Sequence, residues 1–125
     1  MLKNRKFYFF IALIYTIVLL YFSLVDISGV LPDTNIKFQD KILHFLAYLV
    51  LSVLWGYYAI LLKTKNAIIY SFLATLIFGV ILELVQEVVN PLRDYDILDL
   101  LANCIGIMFG TVVVIWYNRK LKLKS

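Results

Sequence analysis

Three groups of polar residues in an otherwise apolar chain have types and spacings that suit chemistry. Asp40, Lys41, His44 and Tyr48 recur at intervals of three and four, which on a helix places them on one face. Glu83, Gln86 and Glu87 repeat that spacing, and Asp96, Asp99 and Asn103 repeat it again. Arg93 and Asp94 stand just before the third group. An imidazole beside carboxylates can act as base and acid. His44, Glu83, Glu87 and Asp99 are also of the types that ligate a hard metal ion, and Lys41 and Arg93 suit a phosphate. The same residues can instead pair with one another and only fix helix registry.

Hydrophobicity sets the elements that must position them. The chain has 125 residues, 63% of them hydrophobic and 16% charged, with mean hydropathy +0.91. Soluble domains run at about 45–50% apolar and about 25% charged. A soluble core of about this length still leaves roughly 30% of its surface in water, too much for this composition. A soluble enzyme and a disordered tail are both excluded. Crossing ~30 Å of hydrocarbon takes about 20 apolar residues in a helix, and four stretches qualify: residues 7–25, 42–62, 67–89 and 97–117. The expected fold is all-α, a single membrane-embedded domain of four transmembrane helices. Cys104 has no second cysteine to bridge, so a disulfide framework and a cysteine-clustered zinc site are excluded. Within the fourth stretch it reads as a small packing hydrophobe.

The net charge of +4 has a sided distribution. Lys3, Arg5 and Lys6 precede the first stretch, Lys63 and Lys65 join the second to the third, and Arg119, Lys120, Lys122 and Lys124 follow the fourth. Of the twelve basic residues only Lys37, Lys41 and Arg93 fall on the other side, where all eight acidic residues also lie. The positive-inside rule then makes both termini cytoplasmic. The basic excess is a topology mark, and no nucleic-acid partner is needed to explain it. The first stretch exceeds the 7–15 apolar residues of a signal peptide and is followed by no small-x-small cleavage site. It should stay in the bilayer.

In this topology every polar group named above lies in the outer half of the membrane. An ionisable side chain at mid-membrane costs at least about 2.5–3.5 kcal/mol, so three polar faces at one depth should meet. Gly106 and Gly110 share a face with Asp99 and Asn103 at about 100° per residue. A Gly-x-x-x-Gly pair lets another backbone approach closely, so this face is expected at a helix contact. Gly56 has no such alignment, and replacing it should disturb the bundle less. The bundle below the polar shell should be tight, which makes the site a pocket open outward. Trp55 reads as lipid-facing bulk, and Trp116 and Tyr117 as part of an inner interfacial belt.

Taken in order, Asp40-Lys41-x-x-His44-x-x-x-Tyr48, Glu83-x-x-Gln86, Arg93 and Asp99-x-x-x-Asn103-x-x-Gly106-x-x-x-Gly110 resemble the motifs of VanZ-like membrane proteins. The resemblance covers residues 40–110; the first stretch matches only as an apolar span. It implies a small multi-pass protein of the bacterial cytoplasmic membrane, associated with the cell envelope. The family's namesake is associated with reduced susceptibility to the glycopeptide antibiotic teicoplanin.

Three readings of the cluster follow. It can recognise a lipid-linked or amphiphilic envelope component, with Arg93 and Lys41 on a phosphate and Tyr48 against the apolar part. It can be a structural ion-pair network beside a protein partner. It can be an intramembrane hydrolase or transferase acting on a lipid head group, with His44 and Glu83 as base and acid. The sequence lacks a His-Glu-x-x-His pair, a phosphate-cradling glycine loop and a nucleophile elbow, so the enzymatic reading has no decisive motif. No cofactor is called for, and no set of ligands for a metal is assigned. The acidic surplus of the cluster opposes a bare anionic ligand unless carboxylates are paired or bridged by a cation.

Overall fold

The computed structural model describes residues 5–24, 39–63, 66–89 and 97–124, apart from the side chains of residues 39, 40, 87, 89 and 122–124. Four helices make up the described chain: α1 (Arg5–Leu24), α2 (Gln39–Leu62), α3 (Ala67–Val89) and α4 (Ile97–Lys124). Each is long and apolar enough to cross a membrane. The expected all-α bundle is therefore present. The fourth helix continues seven residues past the apolar stretch, because Asn118 to Lys124 contains neither proline nor glycine to stop it, and Lys, Leu and Arg sustain a helix well. Lys120 also places its ammonium 4.7 Å from the centre of the Trp116 ring, one turn back.

Contacts fix the helix directions. Tyr8 of α1 stacks edge-on to Tyr57 of α2, which in turn meets Tyr117 of α4. The start of α1 and the ends of α2 and α4 thus share one end of the bundle, the end that carries Arg5, Lys6, Lys63, Arg119 and Lys120. α2 and α4 run parallel and form the most extensive helix pair. The turn from α2 to α3 begins at Lys63, whose φ of 56° lies in the left-handed region. Its N–H closes the helix on the Ile60 carbonyl at 3.2 Å. Asn66 has φ 65°, a conformation asparagine tolerates better than most residues.

Small residues explain why α2 and α4 lie so close. A Cβ at Gly106 would strike the Phe45 carbonyl oxygen, and one at Gly110 would strike the Ser52 hydroxyl and lie 2.7 Å from the Leu49 carbonyl oxygen. Both glycines are buried, and the backbone of α2 fills the space where side chains would stand. Ser52 donates to the Ile107 carbonyl at 3.2 Å, a hydrogen bond across the same seam. Gly56 joins this seam without the polar alignment of the other two. It too is buried on this seam, where its Cβ would come within 2.6 Å of a Val114 methyl.

α1 attaches to α2 through polar contacts that hydropathy does not show. Tyr15 donates to the Ala47 carbonyl at 2.7 Å, and the Trp55 indole N–H donates to Thr16 Oγ1 at 2.8 Å. Trp55 is therefore not lipid-facing bulk: it pins α1 to α2 and stacks edge-on to Phe9 and Tyr58. Beneath the polar end the packing is also looser than expected. An apolar groove of about 430 Å³ lies between α2 and α3, lined by Leu51, Trp55, Ala59, Ala74 and Phe78, with Thr16 at its α1 side.

Candidate functional site

At the end of the bundle opposite the basic residues, α2, α3 and α4 bring five polar side chains together. Lys41 and His44 share a face of α2 near its start, and Asp99 and Asn103 share a face of α4 near its start. Because the two helices run parallel, the pairs meet in register. Lys41 Nζ lies 3.0 Å from Asp99 Oδ1, and His44 Nδ1 lies 3.0 Å from Asn103 Oδ1. Asp99 sits in the first turn of α4, where the helix dipole favours a negative charge. Lys41 sits in the first turn of α2, where the dipole opposes it, so its partner matters more.

Glu83 reaches the same place from α3, about 9 Å below the end of that helix at ~1.5 Å per residue. One ligand atom each from His44, Glu83 and Asp99 lies within 4.8 Å of the other two. Glu83, Asp99 and Asn103 are 3%, 2% and 1% exposed, values seen for charged groups almost only when they are paired. Lys41 is the open member, with 22% of its side chain exposed. The cluster is thus a buried floor of two carboxylates and an amide, with a half-buried imidazole beside it and an ammonium at the rim.

Two expected members sit elsewhere. Gln86 is buried but turned toward α1, where its amide Nε2 donates to the Ser23 carbonyl. Tyr48 is 2% exposed and belongs to the apolar core with Leu51, Leu82 and Ile107, so its ring is no wall for a ligand. Gly79 makes the room: a Cβ there would lie 3.2 Å from the Tyr48 ring. The Tyr48 hydroxyl faces the Ser23 side chain and lies within electrostatic reach of Glu83. Ser23 was missed in the sequence, where a lone serine near the end of an apolar helix resembles any interfacial residue. It extends the polar layer from three helices to four. Arg93, Asp94 and Asp96 lie outside the described residues, as do the side chains of Asp40 and Glu87.

With His44 neutral, Lys41 offsets one of the two carboxylate charges and the described cluster keeps one formal negative charge. Asn103 adds a polar group without a full set of partners. Its Oδ1 holds His44, while its Nδ2 finds no acceptor among the described residues. An unsatisfied buried donor costs about 1–3 kcal/mol, more than packing alone would retain.

Comparison with known proteins returns no match for this chain among family models, curated proteins or solved structures.

Proposed function

We propose that this chain is a VanZ-like multi-pass protein of the bacterial cytoplasmic membrane that recognises a lipid-linked or amphiphilic component of the cell envelope. The basic end faces the cytoplasm and the polar cluster faces outward. One observation carries the reading: a charged group at the rim, Lys41, stands over a buried floor that retains an unsatisfied donor, Asn103 Nδ2. Lys41 supplies an ion-pair partner for a phosphate or carboxylate head group, and the surrounding bilayer accommodates the apolar tail. The order of residues from Lys41 to Gly110 supports the family reading by resemblance.

Native mass spectrometry of chain purified from bacterial membranes tests the proposal. The expected result is a retained, intact envelope amphiphile that Lys41→Met releases. Only bulk phospholipid, exchanging equally in wild type and variant, would contradict it. Lipid head-group hydrolysis or transfer is the second reading, favoured by the approach of His44, Glu83 and Asp99 to within 4.8 Å. It requires turnover of the retained amphiphile as well as its capture.

A further inference from the structure

We propose that His44, Glu83 and Asp99 form a binding site for a divalent transition-metal cation, zinc best fitting the donor set. Each comes from a different helix, and their ligand atoms lie within 4.8 Å of one another. Some point then lies no more than about 2.8 Å from all three, against zinc–nitrogen and zinc–oxygen bonds of about 2.0–2.2 Å. Rotations that draw each ligand inward by less than ~1 Å close that gap.

The surrounding groups fit the assignment. Ligating histidines usually donate their second ring N–H to an oxygen that orients the ring. His44 Nδ1 has that partner in Asn103 Oδ1 at 3.0 Å, which makes Nε2 the nitrogen to ligate, while the 4.8 Å approach holds for one of the two ring nitrogens. The second observation is Asn103 Nδ2, on a side chain 1% exposed and without an acceptor among the described residues. It is the other arm of the amide that holds the ligating histidine, a buried donor left over beside the three ligands. Three protein ligands leave zinc a fourth position, open to water or an anionic oxygen. The charge count agrees. A divalent ion turns the cluster's single formal negative charge into a single positive one, which removes the obstacle that two carboxylates present to an anionic head group.

The inference goes beyond the amphiphile reading and does not require it, because zinc can be titrated in neutral lipid. The untagged full chain is stripped with chelator, reconstituted in phosphatidylcholine nanodiscs and titrated with zinc alone. About one zinc per chain should be retained, and its addition should raise the melting temperature. Since the chain contains a single histidine, X-ray absorption at the zinc edge should show one imidazole per zinc, which identifies His44 without any mutation. Glu83→Gln and Asp99→Asn should weaken binding by at least tenfold, and Asn103→Leu by about 10–100-fold through the orienting contact. Zinc bound without an imidazole, or no zinc retained by the folded wild type, would overturn the proposal. If a variant fails to fold, the wild-type spectrum alone decides.

Discussion

His44 and Asn103 meet across the seam between α2 and α4, ring nitrogen to amide oxygen, at 3.0 Å. The contact joins the second turns of two parallel helices. It also selects the histidine tautomer, since an amide oxygen can only accept and Nδ1 must therefore carry the proton.

Asn103→Ala should change stability by no more than about 1 kcal/mol, because the ring N–H of half-buried His44 loses its acceptor while the unsatisfied Nδ2 is removed as well. His44→Ala should cost less in that background than alone, as expected for residues in contact. Thermal unfolding of the four proteins in one detergent completes the cycle. Strictly additive effects would mean the pair is not formed.

The glycines of α4 should rank by what they touch. Gly106→Ala and Gly110→Ala push against the backbone of α2, which cannot rotate away, and should destabilise by about 1–3 kcal/mol. Gly56→Ala meets both methyls and the Cβ of Val114 rather than backbone, and should also destabilise, though less. Melting temperatures decide the ranking. Equal, negligible effects at Gly106 and Gly110 would mean that the seam between α2 and α4 is not packed as described.

Trp55 and Thr16 offer a separable test of how α1 is attached. Trp55→Phe and Thr16→Val should each cost about 0.5–1.5 kcal/mol from the lost hydrogen bond, with the double variant costing little more than the worse single one. Melting in detergent measures all three. Full additivity would return Trp55 to a lipid-facing role.

These contacts show where the sequence is legible and where it stops. Apolar length located all four helices, because a bilayer leaves few alternatives for such stretches. Polar spacing put Lys41 and His44 on one face of α2 and Asp99 and Asn103 on one face of α4, and those two faces meet in the structure. Facing pairs are harder to read. Gln86 lies one turn from Glu83 yet turns to Ser23 of α1, and Tyr48 continues the His44 face but enters the core. Both depend on how α3 is rotated against α1 and α2, which hydropathy does not encode. That Gly56 lies on the seam was hard to read for a similar reason, since its partner Val114 is an ordinary apolar residue of another helix.

Orientation in the membrane rests on charge alone and can be checked directly. In a Cys104→Ala background, a cysteine at Lys63 should resist a membrane-impermeant thiol reagent added to intact cells. A cysteine placed in segment 29–35 should react. The reverse pattern would invert the bundle and turn the polar cluster toward the cytoplasm.

The most direct test of whether the polar cluster is a site rather than a scaffold is Glu83→Gln, read twice on one preparation. The substitution keeps the shape of the side chain, exchanges one acceptor oxygen for an amide donor and removes one charge from a cluster with a formal negative surplus. The account predicts a melting temperature equal to or above that of wild type, together with loss of the retained amphiphile in native mass spectrometry. A variant that melts like wild type and still carries the same amphiphile in the same amount would contradict the account.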